Sequence, residues 1–242
     1  MGILELDSLS KDFGGIVAVD GFTFGLERGE LHALVGPNGC GKSTLFNLIT
    51  GAFPPSGGRV VFAGRDITGL PPYEISRLGI GRKFQVPAVF DELTVAENLA
   101  VPRWAGGRLS LWSAAVTAGP DDVLGRVGLG RRRDTRAGEL AHGERQWLEI
   151  GMLLASRAQL LLLDEPTAGM TVAETTETAR LIRGIAMGGD VTILVIEHDI
   201  GFIQRLDCPV TVMAKGRALR SGSYADIRAD ADVRELYFGR ER

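Results

Sequence analysis

At 242 residues, 45% apolar and 24% charged, the chain is long enough for one large domain, or a domain carrying a subdomain, around a sizeable buried core. Its 27 basic residues, with Arg far outnumbering Lys, fall short of its 30 acidic ones, and a net charge of −3 argues against a duplex-binding surface. Cys40 and Cys208 stand far apart in no metal-ligand spacing, which argues against a disulfide scaffold and makes a reduced, cytoplasmic compartment the expectation. The opening run MGILELDSLSKDF is acidic where a secretory leader is basic and then apolar. No apolar stretch reaches the ~20 residues that cross a bilayer. The richest, Leu148 to Leu163, is broken by Arg157 and followed at once by Asp164 and Glu165.

In chain order, Ile3 to Leu9 alternates apolar and polar residues, as a strand does, and Val19 to Leu26 and Arg59 to Phe62 read similarly. Gly57-Gly58 and Gly64 read as turns, so an antiparallel sheet is expected near the N-terminus. Leu31 to Val35 is a short apolar run ending in a Gly-rich loop, and Ser43 to Ile49 reads as a helix stopped by Gly51. Thr94 and Glu97 form a capping-box pattern that opens a short helix through Leu99. Gly106 to Gly138 is rich in Gly and Arg and poorly periodic, and Gly143 to Arg157 is helical again. Leu160 to Leu163 has no alternation, the pattern of a strand buried on both faces. A second capping box, Thr171 with Glu174, starts a helix to about Met187; Val191 to Ile196 and Val210 to Met213 are further buried strands. Strands alternating with helices indicate a parallel, doubly wound α/β sheet. The expected organisation is a first core part over residues 1–85, a mostly helical insertion over 86–157 and a second core part over 158–242.

GPNGCGKST, from Gly36 to Thr44, matches the phosphate-loop pattern G-x-x-x-x-G-K-S/T, after a strand and before a helix as the motif requires. Gly36, Pro37, Asn38, Gly39, Cys40, Gly41, Lys42, Ser43 and Thr44 are therefore the candidate nucleotide-binding residues. The glycines let successive N–H groups point at phosphate oxygens, and the following helix adds the positive end of its dipole. Lys42 reaches the β- and γ-phosphates of ATP, and Ser43 ligates Mg²⁺. Cys40 reads as a small buried filler. LLLLDEP, Leu160 to Pro166, is a Walker B pattern: Asp164 holds the Mg²⁺ shell and Glu165 polarises the attacking water as general base. Two carboxylates after four leucines are costly unless a cation or hydrogen bonds compensate them.

LAHGERQWLEIGMLL, from Leu140, is close to the LSGGQ signature of ATP-binding-cassette (ABC) ATPases, and the chain resembles that family along nearly its whole length. GRKFQ places Gln85 as the Q-loop glutamine, VIEHD places His198 as the switch histidine, and Phe13 sits where the family stacks an aromatic ring on adenine. The resemblance implies a P-loop, RecA-like parallel-sheet core with an N-terminal antiparallel β-subdomain and an inserted α-helical subdomain. It groups Gln85 with Glu165 and His198 in catalysis, and with Ser43 and Asp164 around Mg²⁺. It also implies head-to-tail pairing with a second ATPase subunit, each ATP lying between one phosphate loop and the other chain's signature, here Leu140, Ala141, His142, Gly143 and Glu144. Gly143 then lets a γ-phosphate approach a backbone N–H at a helix start.

Membrane permease subunits, an external solute-binding protein and a peripheral position on the cytoplasmic face of the inner membrane follow from the same resemblance, with no nucleic acid. GIGRKFQVPAVFDELTVAENL, DEPTAGMT and VRELYFG look like the ATPases of urea and branched-chain amino-acid importers. HGERQWLEIGM and AGMT lean towards the urea type, so urea is the expected cargo and branched-chain amino acids the alternative. A DNA-repair ATPase would carry coiled-coil or zinc insertions before the signature, and none is visible. Intact Lys42, Asp164, Glu165 and His198 argue against a non-hydrolysing switch.

The chain departs from the family at Thr171 and at Ala141. Thr171, where an Asp is common, reads as a helix N-cap, and Arg131 to Arg133 read as a solvated loop rather than a lipid contact. Ala141 stands where the family usually has Ser, removing a hydroxyl donor to the γ-phosphate, and a hydrogen bond to a charged group contributes ~1.5–3 kcal/mol. Ala141→Ser is therefore expected to raise ATP-driven dimerisation or turnover; equal rates for both chains in the assembled complex would refute this.

Overall fold

The computed structural model describes residues 2–83, 88–105 and 120–238. In chain order the elements are β1 (Leu4–Asp12), β2 (Val17–Leu26), β3 (Leu31–Val35), α1 (Lys42–Ile49), β4 (Gly57–Phe62), β5 (Arg65–Asp66), α2 (Pro72–Leu78), β6 (Ile80–Lys83), α3 (Val95–Ala105), α4 (Pro120–Arg126), α5 (His142–Ala155), β7 (Leu160–Asp164), α6 (Val172–Met187), β8 (Thr192–Glu197), α7 (Ile200–Leu206), β9 (Val210–Ala214), β10 (Arg217–Gly222), α8 (Tyr224–Ala229) and α9 (Ala231–Phe238).

Alternation in the N-terminal third produces a four-stranded antiparallel sheet, order β2-β1-β4-β5. Leu4 faces Leu26 on one side and Phe62 on the other, and Leu6 faces Phe24 and Val60. The inward positions Leu4, Leu6, Leu9, Phe22, Leu26, Val60 and Phe62 are buried. Gly57 and Gly58, expected as a turn, lie inside β4 instead. The β1–β4 register shifts between Asp7 and Ser10, and at Gly58 (φ 82°) a Cβ would collide with the Asp7 and Ser8 carbonyls. The glycine pair marks an irregularity in the ladder, where a neighbouring strand's backbone comes close, rather than a hairpin end.

The second sheet has six strands in the order β10-β9-β3-β8-β7-β6, parallel from β9 to β6, with β10 antiparallel at the edge. Its central strands are apolar on both sides because both sides are covered. Leu34, Leu160, Leu162, Leu194 and Ile196 pack with Phe46 of α1 and the antiparallel sheet. Leu161, Leu163, Ile193 and Val195 pack with Leu148 and Ile150 of α5, Ile182 of α6 and Phe202 of α7. Full burial of each such side chain contributes ~1.5–3 kcal/mol.

The helical insertion was least legible. Thr94 and Glu97 form the expected reciprocal cap, but α3 runs past Leu99 to Ala105 with Pro102 inside it. Leu99 packs so tightly on Gly151 of α5 that a Cβ there would lie 3.0 Å from its Cδ2, the kind of tertiary contact that overrides local propensity. α4 lies within the stretch that lacked periodicity. In the Arg131–Arg133 loop, Arg132 pairs with Glu144 at 2.9 Å and Arg133 with Asp121, all in contact with solvent. No helix among the described residues is long and apolar enough to cross a membrane.

Thr171 is the N-cap of α6: its hydroxyl accepts from Glu174 N at 3.3 Å, and Glu174 Oε2 accepts from Thr171 N at 2.8 Å. The Thr171 hydroxyl also donates to Glu174 Oε2 at 2.8 Å, and the Thr171 N–H and hydroxyl together hold the Glu174 carboxyl below its usual pKa. Thr171→Ala is expected to cost ~1 kcal/mol of stability, read as a lowered urea midpoint at unchanged slope.

Candidate functional site

The phosphate loop leaves the buried end of β3 and enters α1 through Gly41, whose φ of 111° belongs to the left-handed region. Space as well as angle demands glycine at both ends of the loop. A Cβ on Gly36 would run into the Met213 carbonyl of β9, and one on Gly41 into the Ala18 carbonyl of β2. The Cys40 carbonyl accepts from Gly216 N at 3.0 Å, so the turn between β9 and β10 braces the loop from behind. Lys42 is buried, with Nζ donating to the Gly36 and Pro37 carbonyls at 2.7 and 3.0 Å. Its ammonium therefore spans the loop from within. Burial pushes the Cys40 thiol up, which fits a packing role. Asn38, Gly39 and Ser43 are exposed, Pro37 and Thr44 half-buried.

β7 delivers Asp164 to the carboxyl edge of the sheet, almost fully buried. Arg82, from the neighbouring β6, donates through Nη2 to Asp164 Oδ2 at 2.8 Å and through Nη1 to Asn47 Oδ1 of α1 at 2.6 Å. The other oxygen, Oδ1, is buried with no hydrogen-bond partner among the described residues. A buried carboxylate oxygen with no donor on it is the kind of ligand that a hard, oxygen-seeking cation such as Mg²⁺ takes. No group of three or more His, Cys, Asp or Glu that could hold a metal occurs among the described residues.

The chain then turns sharply. Glu165 has φ 45°, unusual for a side-chain-bearing residue, and its N–H donates to the Ile196 carbonyl at 3.0 Å. The turn brings Glu165 Oε1 to 3.2 Å from His198 Nδ1. Behind both sits Glu197, the last residue of β8 and 1% exposed. Its Oε1 accepts from the Thr167 hydroxyl at 2.6 Å and Thr167 N at 3.2 Å, and its Oε2 accepts from His198 N at 3.1 Å. One buried carboxylate thus ties the turn after Asp164 to the histidine loop. Sequence reasoning passed over Glu197 and Arg82. For Glu197 the available signal is a charge at the end of a buried strand, beside His198; for Arg82, on a short edge strand, the sequence carries no such signal.

At the signature, α5 starts at His142 with no side-chain cap, because Ala141 has none to offer. Glu144 supplies half a capping box, accepting from Ala141 N at 3.0 Å and from Arg132 Nε at 2.9 Å. Leu140 is buried. His142 Nε2 donates to the Ala168 carbonyl at 3.0 Å. Gly143 is buried where a Cβ would lie 2.8 Å from Glu174 Oε1. Within one chain the signature therefore abuts the turn and helix that follow Glu165. Phe13 is 50% exposed, its ring edge-on to Phe53 at 5.3 Å with Lys11 Nζ about 5 Å from both rings, at 5.1 and 5.2 Å. Such an edge contact leaves a ring face to stack on. Gln85 lies outside the described residues.

A braced phosphate loop, an acidic strand end and a Glu–His pair on one parallel sheet define a P-loop ATPase cassette. Residues 19–168 match the ABC transporter family model. The chain belongs to that family. It is 34% identical over 249 residues to the high-affinity branched-chain amino acid transport ATP-binding protein LivG of Escherichia coli, covering 98% of each chain. It is 35% identical over 251 residues to BraF of Pseudomonas aeruginosa, described in the same words, again covering 98% of each. Among solved structures, the ADP conformation of an ATP-binding cassette of an ABC transporter superposes with a TM-score of 0.85 at 31% identity, and a nucleotide-free cassette with 0.84 at 30%. Each comparison covers 99% of this chain and 100% of the other. The chain is an ABC ATPase that binds and hydrolyses ATP.

Glu197→Gln places an amide N–H₂ against donors and is expected to loosen the Glu165–His198 geometry. In an ATPase assay the rate constant should fall about tenfold or more, ~1.4 kcal/mol, with nucleotide affinity unchanged. A wild-type rate constant would remove Glu197 from this role.

Proposed function

We propose that this chain is one ATPase subunit of an importer of branched-chain amino acids, working with separate membrane permease subunits on the cytoplasmic face of the inner membrane. The observation that carries the hydrolytic half is the Glu165–His198 contact of 3.2 Å beside the unpartnered Asp164 Oδ1. The transport half rests on the likeness to LivG and BraF over almost the whole chain. It replaces urea, the cargo expected from the HGERQWLEIGM and AGMT stretches, because these relatives are named for branched-chain amino acids.

In this reading adenine stacks on the open face of Phe13, and the triphosphate follows the amides of residues 36 to 44. Lys42 exchanges the Gly36 and Pro37 carbonyls for β- and γ-phosphate oxygens, a like-for-like trade of acceptors that favours the charged partner. Ser43, Asp164 and Gln85 would hold Mg²⁺, which when bound neutralises charge developing on those oxygens. Glu165 takes a proton from the attacking water, and His198, held by Glu197 through its backbone, keeps the Glu165 carboxylate aimed. A second ATPase subunit presents its signature, equivalent to Leu140–Glu144, to the γ-phosphate. The helical insertion, residues 86–157 in this reading, carries that signature. An external binding protein hands solute to the permease.

The test is labelled uptake in cells lacking this gene, with the permease that co-purifies identified. Leucine uptake should vanish, return with the wild-type chain and stay absent with Glu165→Gln, which binds ATP without turning it over. Dependence of urea uptake, and not leucine uptake, on the gene would restore the urea reading. Dependence of neither would remove the importer assignment.

A further inference from the structure

Lys83 ends β6, two residues before Gln85, and its side chain is wholly buried at 0% exposure. Nothing in the assigned chemistry calls for an ammonium there. Its Nζ lies 3.8 Å from Glu149 Oε2, and Glu149, itself 4% exposed, sits midway along α5, the helix whose first residues are the signature. Parallel register sets Lys83 beside Leu163 of β7, and Leu163 beside Val195 of β8. Leu163 and Val195 belong to the core face shared with Leu148, Ile150 and Leu154 of α5. The residue before, Arg82, goes the other way, over the Phe46 ring of α1 and onto Asp164. Two successive cations on one short edge strand therefore grip opposite faces of the sheet: Arg82 the face that holds α1, Lys83 the face that holds α5.

Burial lowers the Lys83 pKa, and the charges of Glu149, Asp164 and Glu197 oppose that shift. The ammonium is thus felt by the signature helix and by both strand ends that carry the hydrolytic residues. A buried ion pair is a poor way to gain stability, since its desolvation cost offsets most of the attraction; its best-attested use is to fix one relative placement of the groups it joins.

We propose that Lys83 is a positioning residue which, through Glu149, holds the signature helix at a fixed setting against the catalytic ends of β7 and β8. The Lys83–Glu149 pair makes the geometry of the signature in one site dependent on the strand that feeds the Q-loop of the other. The inference rests on the reading that the start of α5 completes an ATP site in a dimer.

The test compares the full-length chain with Lys83→Met/Glu149→Met, which replaces the pair by apolar side chains of similar length. Four quantities are read: thermal midpoint, affinity for a fluorescent ATP analogue, ATP-driven dimerisation in a Glu165→Gln background, and the ATPase rate constant of the assembled transporter. The expected result is a midpoint no lower than wild type and nucleotide affinity within about twofold, with dimerisation and rate constant each reduced about tenfold or more. A merely structural pair would show the reverse, since apolar replacement would leave function intact; wild-type dimerisation and turnover in a stable double variant overturn the proposal. If the double variant does not fold, Glu149→Gln keeps the shape and removes one charge, and the same two losses at unchanged nucleotide affinity support the proposal while their absence overturns it. If the Glu165→Gln chain with Lys83 and Glu149 intact does not dimerise on ATP, the dimer reading itself falls, and this inference with it, a failure distinct from that of the pair.

Discussion

Three buried carboxylates have to be held, two at the carboxyl edge of the six-stranded sheet and one on α5. Asp164, Glu149 and Glu197 are 3%, 4% and 1% exposed. An ionised carboxylate out of water is destabilising by several kcal/mol unless cations or hydrogen-bond donors compensate it. The chain compensates each differently: Arg82 for Asp164, Lys83 for Glu149, and Thr167 with the His198 amide for Glu197. Asp164 Oδ1 makes no hydrogen bond among the described residues. Glu165 and His198 project from this balanced frame, so their mutual placement follows from how charge is settled behind them.

The nucleotide side depends on the absence of side chains. Gly36 and Gly41 are pressed against the carbonyls of Met213 and Ala18, which leaves the loop little freedom to open. Parallel pairing then sets the two halves in register. Val35 lies opposite Glu197, so the glycine-rich loop and His198 begin one residue beyond the same rung. Asp164 lies opposite Ile196, one rung away. Three motifs far apart in sequence meet because three strands end together, the usual place for a ligand in an open parallel sheet.

What the sequence made legible were features with a local cause. The phosphate loop, the Walker B strand, the buried runs and the Thr94 and Thr171 caps each declare themselves within a few residues. β6 and β10 escaped because both are short edge strands, and Arg217–Gly222 is exposed almost throughout, with no apolar run to read. α4 and the far half of α3 escaped because they are held by packing against α5 and not by periodicity. Gly57-Gly58 misled because a pair of glycines allows a turn and an irregular strand equally, and only the neighbouring β1 backbone decides. Glu197 and Arg82 act through partners 30 and 82 residues away, which no window reveals. The solute was never legible: the ATPase does not touch it, and short stretches that leaned towards urea carried no physical reason to do so.

Ala141 joins the helix and the site in one position. A Ser hydroxyl is donor and acceptor at once, so at this place it would accept from an N–H of the first turn of α5 and still donate to a phosphate across a dimer. Ala removes both. The helix start keeps only the Glu144 half of its cap, and Glu144 is shared with Arg132. The first loss is felt by the chain alone, the second only when a partner's nucleotide arrives, so the two are separable in principle. What holds α5 in place despite its weak beginning is then its middle, where Leu148 and Ile150 are buried in the core and Glu149 meets Lys83. A signature helix anchored at its centre and loosely capped at its tip presents backbone N–H groups, rather than side chains, as its main contribution to an anion.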